Sequence, residues 1–502
     1  MQATTSHPLN ETYDVVVVGL GPAGATLANL LALRGLSVLA LDREADIYRL
    51  PRAIHFDGEC MRVFQTIGIA DELEPNLVVA PGMKFVDATG RLLIDWTRPT
   101  EPGPQGWYAS YRFHQPTLEE TLRRRLKQQP KVDIRLRHEV FSVEPAADHV
   151  VLRLEDTSSG RLLKTKARYV VGCDGARSTV RRFMGTELED LESHERWLVA
   201  DLILDKDRPD LGDHSVQYCD PARPVTYVRG PGMRRRWELM LLPGEDATVM
   251  SRPEVVWQLL SRWITPDEAQ LERPAAYTFH SVVARGWRKG RLLIAGDAAH
   301  QTPPFMGQGM CAGIRDASNL GWKLADVISG AAGENLLDTY ESERSPHVRE
   351  FIETAVRLGG VIQTTDVEAA KRRDAEMLAH PRTFTTPQPC LGAGAHDGSP
   401  KAGTIGEQPT LADGARLDDK VGYRYALLVD PAWAADLHSA GGQVAVVPAE
   451  SAAARQWLDR LGVGAVLLRP DRYVAAVAHE RSDLPHLLQA ASGSPSISRD
   501  AG

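Results

Sequence analysis

The sequence predicts a multidomain α/β protein on three observations. The uncharged stretch Val15–Leu33 changes from β-branched residues to glycines and then to the Ala/Leu spacing of a helix. Two later stretches, residues 169–182 and 292–309, repeat the order of apolar strand, turn and helix. Residues 186–284 contain short strand patterns such as WLVADLIL and RWELMLLP, which indicate a separate sheet. A chain of 502 residues is long enough for two or three such domains.

The charge pattern narrows the classes of partner. The formal net charge is -8, and both signs are mixed along the chain, so we expect neither nucleic acid nor a membrane surface as a partner. The basic run RRRLK at residues 123–127 follows acidic residues four positions earlier, which predicts a solvated helix face. The glycines inside Val15–Leu33 favour a buried strand, turn and helix over a membrane span.

The cysteines indicate a reducing compartment. They are scattered and form no Cys-x-x-Cys pair, so the sequence predicts neither a disulfide framework nor a metal site. The first residues, MQATTSHPLNETYD, contain no apolar segment and no cleavage pattern, so we predict no signal peptide. We therefore expect a cytoplasmic protein.

The first strand-turn-helix segment has the pattern of a dinucleotide site in a Rossmann-like domain. Gly19 permits a tight turn, Gly21 lets the backbone approach a pyrophosphate, and Gly24 lets helix and strand pack closely. The next strand ends at Asp42, whose carboxylate can accept a hydrogen bond from a ribose hydroxyl. The unit predicts FAD or NAD without choosing between them. The same segment adds Pro22, Ala23 and Arg43 to the predicted cofactor-binding residues.

The two later segments follow the same order. In YVVGCDGARSTVRR an apolar strand leads to Asp174 and Gly175. In GRLLIAGDAAHQTPPFMGQG another strand leads to Gly296 and Asp297, then to two prolines and a glycine-rich turn before a helix that begins near Gly309. Each segment alone is compatible with an ordinary turn. Three of them in this order indicate a shared binding function.

With these three segments the chain resembles, over most of its length, the flavin-dependent aromatic hydroxylases, which are single-component FAD monooxygenases. Four stretches are most similar to the 3-(3-hydroxyphenyl)propanoate hydroxylase branch. They are PRAIHFDGECMRVFQTIG (51–68), CDPARP (219–224), RRRWELMLLPGED (234–246) and LRPDRYVAA (468–476).

The resemblance implies a reaction. FAD would be tightly bound and reduced by a transiently bound NADH or NADPH, O2 would be captured as a flavin C4a-hydroperoxide, and one oxygen atom would pass to a phenolic aromatic acid, ortho to its hydroxyl. The protein would supply binding, orientation and exclusion of water, so no metal or nucleophilic serine is needed. Two alternatives stay open: the same chemistry on a larger aromatic such as a polyketide or flavonoid, and an FAD-binding protein that does not oxygenate.

The resemblance also implies roles for residues of the third segment. Asp297 would accept a hydrogen bond from a ribityl hydroxyl, the Pro304 carbonyl would face the reacting phenol as a catalytic group, and Gly307 and Gly309 would let main-chain N–H groups approach the flavin ring. His300 is predicted to be a hydrogen-bonded structural residue. The remaining residues implied to contact FAD are Arg52, Gln115, Gln308 and Met310.

The substrate pocket is predicted from the sheet that would face the flavin. An acidic substrate favours an arginine clamp, because a guanidinium binds a carboxylate with two hydrogen bonds. His55 and Tyr227 are the candidates for favouring the phenolate. The predicted substrate contacts are His55, Tyr218, Arg223, Tyr227, Arg236 and Met240.

These assignments predict a domain organisation. The FAD-binding domain is discontinuous, with residues 1–80, 103–185 and 285–360, and an inserted mixed sheet for the substrate comprises residues 81–102 and 186–284. Residues 361–410 are rich in Thr, Pro, Gly and charge, which predicts linker and loop. Residues 411–502 resemble the thioredoxin-like tail of the family. Since this tail lacks Cys-x-x-Cys, we expect a structural or interface role, which suggests a homodimer.

Overall fold

The computed structural model describes residues 9–272, 274–380, 382–434, 437 and 444–491, so the ends of the predicted domains at 1–8 and 492–502 lie outside the described residues. The strands are β1 Thr12–Val18, β2 Val38–Asp42, β3 His55–Phe56, β4 Val78–Val79, β5 Gly82–Val86, β6 Leu92–Thr97, β7 Tyr111–Arg112, β8 Val132–Leu136, β9 His138–Pro145, β10 Val150–Asp156, β11 Arg161–Gly172, β12 Glu187–Leu204, β13 Ser215–Tyr218, β14 Val225–Arg229, β15 Arg234–Met240, β16 Ala269–Leu271, β17 Ala275–Arg285, β18 Arg288–Lys289, β19 Leu292–Ile294, β20 His300–Gln301, β21 Arg382–Thr383, β22 Tyr425–Val429, β23 Val444–Pro448, β24 Ala465–Leu468 and β25 Val474–Ala478. The helices are α1 Pro22–Leu33, α2 Gly58–Ile67, α3 Ala70–Leu73, α4 Gln115–Lys127, α5 Thr179–Met184, α6 Ala247–Met250, α7 Pro253–Leu260, α8 Gly309–Ser329, α9 Thr339–Ile362, α10 Val367–Ala379, α11 Leu417–Val421, α12 Pro431–Ala434, α13 Ala452–Leu461 and α14 Leu484–Ala490.

The first sheet carries the three strand-turn-helix segments. Strands β19, β11, β1, β2 and β8 run parallel in that order, and β9, β10 and β18 pair antiparallel at its sides. The four valines of β1, residues 15–18, are buried, with α1 packed on β1 and β2, and β9 packed on β2. Helix α1 packs against α8 and α4. The carboxyl ends of β1, β11 and β19 therefore meet at one edge of the sheet, where such folds bind ligands.

The second sheet is mixed and has ten strands. Its order is β20-β17-β12-β15-β14-β13-β5-β6-β21, with β16 paired to β12. One face packs on α7 around Tyr227 and Trp237, and the other face packs on α9 through Trp197 and Phe305. A short sheet, β3-β7-β4, lies beside it and carries His55.

The stretch 361–410, expected to be linker and loop, contains helix α10 and strand β21, and β21 pairs with β6. The local sequence VEAAKRRDAEMLA consists mostly of good helix formers, and Asp366 caps it by accepting a hydrogen bond from Ala369 N. The expectation is corrected for this half of the stretch, because the Thr, Pro and Gly content that suggested a loop belongs to the residues after α10.

The last described unit is a four-stranded sheet in the order β23-β22-β24-β25, in which β22 and β23 are parallel and the other pairs are antiparallel. Helix α13 packs on it through Trp457 and Leu458. The turn between β24 and β25, residues 469–473, is buried. We call it the 469–473 loop.

The uncharged stretch Val15–Leu33 forms most of β1, a glycine turn and α1, as expected. Within the part of the chain that the structure describes, no helix has both the length and the apolar character needed to cross a bilayer.

Candidate active site

The turn between β1 and α1 admits only glycine at two of its three glycine positions. Gly19 has φ +96°, and a Cβ there would lie 2.4 Å from the Cys173 carbonyl oxygen. A Cβ on Gly24 would lie 2.0 Å from the Gly19 oxygen. Gly21, at the N-cap of α1, has open space where its Cβ would be. The turn therefore leaves a place for a ligand directly at the helix N-terminus, where free N–H groups attract phosphate.

Asp42 is already engaged beside this turn. Its Oδ2 accepts from Arg123 Nη2 at 3.0 Å and from Leu20 N at 3.3 Å, and its Oδ1 accepts from Glu44 N at 3.0 Å. Arg123 also donates to the Leu20 carbonyl and is 8% exposed. The prediction that the basic run forms a solvated helix face is therefore wrong for Arg123. The repeat of charges four positions apart could not show that Arg123 reaches under the turn. The neighbouring Arg43 is exposed and pairs with Glu44.

The second segment is held by its own turn. The Asp174 carboxylate accepts from Ser178 Oγ, Thr179 N and Val180 N, and Gly175 has φ +79° with open space around it. This arrangement fixes the start of α5.

The third segment is fixed from α8. Asp316 accepts from Gly296 N at 3.0 Å and lies 2.6 Å from His300 Nε2, which is the structural role expected for His300. Gly296 has φ +62° and packs against Ala23 and Gly313, so α1, α8 and this turn meet at small residues. The side chain of Asp297 points outward and is exposed. An exposed carboxylate on a rigid turn is suited to a ligand hydroxyl.

A short distance after Asp297, residues 303–310 form a segment that we call the 303–310 loop. It ends with the first two residues of α8. Pro304 opens a short 3-10 turn in which its carbonyl accepts from Gly307 N at 2.9 Å, and Gly307 has φ +64°. Helix α8 begins at Gly309, and no side chain of the described residues caps its N-terminus. Its first N–H groups, together with the positive end of the helix dipole, face the space next to the loop. Met310 is half-buried in the first turn.

The predicted FAD contacts at the other side of this space are linked to each other. Gln115 Oε1 accepts from Arg52 N at 2.9 Å and Ala53 N at 2.7 Å, so it holds the backbone of this segment. Gln115 Nε2 donates to Glu119. The Arg52 side chain is exposed.

A cavity lies between the 303–310 loop and the mixed sheet. Its apolar lining comes from Ile54, Ala80, Gly82, Met83, Val228, Pro304, Phe305, Met306 and Gly307, and its polar lining comes from His55, Arg98, Arg112, Ser215, Gln217, Thr226 and Glu238. Three of the predicted site residues, His55, Pro304 and Gly307, therefore line one cavity. Six polar lining residues, all except His55, were not predicted. Their signal is a polar residue in alternation with buried apolar ones, as in VTYV and RWEL.

The other predicted substrate contacts do not line this cavity. Tyr218 and Tyr227 are corrected by strand register: successive side chains of a strand point to opposite faces, so Gln217 and Thr226 face the cavity while these tyrosines pack on Trp263 and Trp237. Met240 packs in the cluster around Trp197 and Phe305.

The two arginines proposed as a carboxylate clamp are likewise corrected, because both are consumed by protein partners. Arg223 donates to Glu245 and to the Met240 carbonyl. Arg236 forms a two-point pair with Asp201 and donates to the carbonyls of Pro51 and Arg52. The choice of arginines by residue type alone could not distinguish a free guanidinium from a paired one.

His55 and Arg98 form the polar centre of the cavity. Arg98 Nη1 lies 2.8 Å from His55 Nε2 and also donates to Ser110 Oγ, and His55 Nδ1 lies 3.3 Å from the Gly307 carbonyl oxygen. Since a guanidinium can only donate, Nε2 is the acceptor and Nδ1 carries the proton. Burial, followed by the charge of Arg98, lowers the pKa of His55 to about 3, so the imidazole is neutral.

Arg98 is a cation of the cavity lining that keeps one hydrogen-bond donor without a protein partner in the described part of the chain. Burial lowers its pKa to about 10, so it stays charged at neutral pH. Its Nε is buried without a hydrogen-bond partner among the described residues. Arg112, by contrast, donates to the carbonyls of Asp213 and Arg229 and to Ser215 Oγ. Arg98 is thus a cavity-lining cation whose donors are not all used by the described residues.

Glu238 adds an acidic group to the cavity, in contrast to the cationic Arg98. Burial raises its pKa, and its nearest cation is Arg236 at 3.6 Å. Gln217 Oε1, next to it, accepts from Thr226 Oγ1. A cavity with a cation at one position and an acid at another suits an aromatic ring with two polar substituents.

One cluster has ligand types found in metal sites. Oxygen of Asp57 and the sulfurs of Cys60 and Cys311 lie within 4.8 Å of one another. Asp57 is ion-paired with Arg315, and burial raises the pKa of the Cys60 thiol well above its usual value, which disfavours the thiolate that a metal needs. The expectation of no metal stays a prediction.

The geometry can be tested for fit to FAD. Gly21 leaves open space at the start of α1, Asp297 offers an exposed carboxylate, and α8 presents an uncapped N-terminus beside Gly307. The start of α1, the turn at Asp297 and the first part of α8 lie close together, because Gly296 packs against Ala23 and Gly313. Free N–H groups at helix starts suit the phosphates and the ring of such a ligand. The residues present therefore fit a flavin dinucleotide.

Comparison with known proteins agrees with this fit. The family model described as FAD binding domain matches residues 12–355, and the HcaD C-terminal domain matches residues 420–493. The chain is 43% identical over 370 residues to a probable NADH-specific resorcinol 4-hydroxylase of Rhodococcus jostii (strain RHA1), covering 74% of this chain and 69% of that protein. It is 34% identical over 512 residues to a 3-(3-hydroxy-phenyl)propionate/3-hydroxycinnamic acid hydroxylase of Mycobacterium sp. (strain JLS), covering 92% of this chain and 88% of the relative.

Solved structures share the fold. The flavin-dependent monooxygenase PieE, crystallised with FAD and substrate, matches with a TM-score of 0.84 at 24% identity over 97% of this chain and 99% of that chain. OxyS anhydrotetracycline hydroxylase from Streptomyces rimosus matches with a TM-score of 0.77 at 25% identity over 97% and 100%. The mixed α/β architecture with several sheets is thus that of an FAD-binding hydroxylase. The chain belongs to the FAD-dependent aromatic hydroxylases.

Proposed function

We propose that this hydroxylase uses NADH and O2 to add a hydroxyl group ortho to the hydroxyl of a phenol that has a second polar substituent in the meta position. The names of the relatives support this class. Resorcinol carries a meta hydroxyl, its position 4 is ortho to one hydroxyl, and 3-(3-hydroxyphenyl)propionate carries a meta side chain. The observation that carries the proposal is the unpaired donor of Arg98 in a cavity bounded by the 303–310 loop.

The proposed FAD site follows from the described edge of the first sheet. The pyrophosphate would lie at Gly21 and the start of α1, a ribityl hydroxyl at Asp297, and the flavin ring at the N–H groups that follow Gly307. The predicted domain division is part of this proposal, with residues 1–80, 103–185 and 285–360 binding FAD and residues 81–102 and 186–284 covering the substrate.

FAD, when bound, supplies the redox chemistry by accepting hydride from NADH and activating O2. The chain has to bind the phenol, favour its ionised form and exclude water. Both nitrogens of His55 are engaged, Nε2 by Arg98 and Nδ1 by the Gly307 carbonyl, so we assign His55 to orienting Arg98 rather than to removing the proton itself. Arg98 would favour the phenol as its phenolate, with the proton released to bulk water, because a buried cation interacts strongly with a negative charge close to it.

The meta substituent would meet Glu238. An acid with a raised pKa can share a hydrogen bond with a neutral hydroxyl, whereas a second carboxylate beside it is disfavoured. This favours a diol such as resorcinol over a phenolic acid, since the clamp expected from Arg223 and Arg236 is not available. A phenolic acid would have to place its carboxylate at Arg98 instead.

The C-terminal unit is proposed to be a thioredoxin-like domain without redox activity. The five cysteines of the chain form no disulfide in the structure, and the tail has no Cys-x-x-Cys. We propose an interface role for it, in a homodimer, and a cytoplasmic location where NADH is available. Size-exclusion chromatography with light scattering tests the dimer.

The experiment that tests the function measures NADH oxidation by the purified yellow protein with O2, while product and peroxide are quantified. We expect resorcinol and 3-(3-hydroxyphenyl)propanoate to stimulate oxidation, with resorcinol favoured, and the product to be the ortho-hydroxylated phenol. NADPH in place of NADH tests the preference for the nucleotide. If no meta-substituted phenol stimulates oxidation, or if stimulation yields only peroxide, the proposal fails, and larger aromatics become the next substrates to try.

A further inference from the structure

The C-terminal sheet inserts its 469–473 loop between α8 and α9. Arg469 bonds with Glu343 of α9 and with Asp471, and Asp471 accepts from Asn319 of α8. Arg472 holds φ +71°, a conformation that a residue with a side chain rarely adopts, and donates to the carbonyls of Gly422 and Arg424. The loop is therefore fixed in one special conformation by both domains.

This conformation directs Tyr473 toward α2. Its side chain is buried, and its hydroxyl donates to Glu59 Oε1 at 2.7 Å and lies 3.3 Å from His347 Nε2. Glu59 Oε2 in turn accepts from Arg315 Nε of α8 at 2.6 Å. One carboxylate thus joins the C-terminal sheet to the helix that follows the 303–310 loop.

The Arg315 guanidinium donates two further hydrogen bonds, and we call these two bonds the branches of the chain of groups. Its Nη1 donates to Gln308 Oε1 at 3.0 Å, and its Nη2 donates to Asp57 Oδ2. Gln308 is the N-cap residue of α8 and belongs to the 303–310 loop. Asp57 caps α2 by accepting from Cys60 N and is two residues from His55. Both branches therefore end beside groups of the proposed site.

Outside Arg315, the Asp57 carboxylate is also held by Cys60 N, whereas the Gln308 side chain has little else to hold it among the described residues. Its other hydrogen bond, from Gln308 Nε2 to Asp57 Oδ2, is a long one of 3.4 Å, and Asp57 is itself held by Arg315. Arg315 is 5% exposed, and its guanidinium also lies 5.4 Å from the ring centre of Phe351. In a dry environment a hydrogen-bonded chain of charged groups has one favoured geometry, and removing one member leaves the others with unmet partners.

We propose that Tyr473 is a positioning residue of the hydroxylation site. Through Glu59 and Arg315 it sets Gln308 and Asp57, and with them the 303–310 loop and the segment that carries His55. The C-terminal domain would thereby act on the geometry of the flavin and the phenol without touching either. The inference rests on the proposed function only for its catalytic readout.

The test replaces Tyr473 by Phe in the full-length holoenzyme, with Tyr423→Phe as the matched control. Tyr423 is also buried between the C-terminal domain and α8, and its hydroxyl donates to the Ser318 carbonyl at 2.7 Å, but it has no bond to this chain of groups. Each variant loses one hydroxyl from the same interface. We expect Tyr473→Phe to weaken FAD binding and to lower the yield of hydroxylated product per NADH by roughly three- to tenfold, the size of one ordinary intramolecular hydrogen bond.

Three measurements separate positioning from stability: the FAD dissociation constant from flavin fluorescence, the flavin absorption spectrum, and the melting temperature. We expect both variants to melt at similar temperatures and only Tyr473→Phe to change FAD binding, the spectrum and the product yield. A Glu59→Gln variant should have the same effects, and combining it with Tyr473→Phe should add little, because both act through one chain.

The inference is overturned if Tyr473→Phe binds FAD and couples NADH to product as the wild type does, or if Tyr423→Phe changes both to the same extent. If the wild-type enzyme hydroxylates no phenol, the proposed function has failed, but the FAD dissociation constant and the spectrum still decide the role of Tyr473.

Discussion

The glycine turn at the edge of the first sheet and the cavity wall of the second sheet are two halves of one proposed site, and they are built on different physics. In the turn, the backbone would do the proposed binding: Gly19 and Gly24 have no room for a Cβ, and Gly21 has open space around it. In the cavity wall, side chains from separate strands meet, and their partners decide which of them are free. Arg98 keeps an unpaired donor, while Arg236 is saturated by Asp201 and two carbonyls.

This difference explains what a sequence can reveal. A backbone site depends on residues next to each other in the chain, so its pattern is local and readable. A side-chain site depends on strand register and on which charges pair across long distances. The predictions below test each half, beginning with the change that we expect to have the largest effect.

The largest effect is expected for Gly19→Ala. Its methyl would lie 2.4 Å from the Cys173 oxygen at a φ of +96°, so the strained conformation and the overpacking act together. We expect a loss of about 3 kcal/mol or more in the free energy of unfolding, and protein purified without flavin. Urea denaturation and the ratio of flavin to protein measure this.

Gly21→Ala separates folding from binding at the same turn. Open space surrounds the new methyl, so the apoprotein should unfold at the wild-type urea concentration while FAD affinity falls about tenfold or more, as expected for losing a charge-assisted hydrogen bond to phosphate. An apoprotein destabilised as strongly as Gly19→Ala would contradict the view that this position faces the ligand.

The next effect belongs to the cavity. Arg98→Met keeps the volume of the side chain but removes the cation, and we expect kcat/KM for the phenol to fall by about 100-fold with an unchanged flavin spectrum. Arg236→Met should instead destabilise the fold, because it leaves Asp201 buried without its partner. If Arg98→Met is as active as the wild type, Arg98 does not bind the phenolate.

The comparison also shows which parts of the site the sequence could predict. Gly19, Gly21, Gly296 and Gly307 lie at the proposed cofactor edge because a turn and its glycines are encoded within a few residues. The positions of Arg98 and Glu238 could not be predicted, since they depend on β5, β6 and β15 joining strands far apart in the chain.

The presence of a residue in the site could be predicted better than its hydrogen-bond partners. His55 was predicted by similarity of its neighbours, but its pairing with Arg98 follows only from the fold. The fold itself was largely predictable, because apolar strands and glycine turns are local. Helix α10 was missed because the composition of the whole stretch concealed its helix-forming half.

A smaller effect is expected in the pH dependence of stability. Burial and Arg98 lower the pKa of His55 to about 3, while an unfolded histidine titrates near 6.5. Between these values the unfolded chain binds a proton that the folded chain does not, so the stability due to neutral His55 is lost as the pH falls from about 6.5 toward 3. Acidification from about pH 6.5 to 5.5 should destabilise the wild type by roughly 1 kcal/mol more than His55→Gln, measured by urea unfolding.

The same pKa predicts the catalytic profile. Since His55 stays neutral throughout the range in which the enzyme can be assayed, kcat/KM should show no inflection from this residue above pH 5. An inflection near pH 6.5 that His55→Gln removes would show that the imidazole titrates and is not held by Arg98.

The smallest effect is expected where the two faces of one strand can be compared directly. Thr226 and Tyr227 are neighbours on β14, but Thr226 lines the cavity while the ring of Tyr227 lies 5.0 Å from Trp237 on the opposite face. Thr226→Val removes the hydroxyl that donates to Gln217 and should raise KM for the phenol about threefold, whereas Tyr227→Phe should leave KM and kcat unchanged and cost at most about 1 kcal/mol of stability. Steady-state kinetics with the preferred phenol and thermal unfolding measure both variants. The reverse result, with Tyr227→Phe altering KM and Thr226→Val silent, would mean that β14 is shifted by one residue, because a one-residue shift exchanges the two faces of a strand.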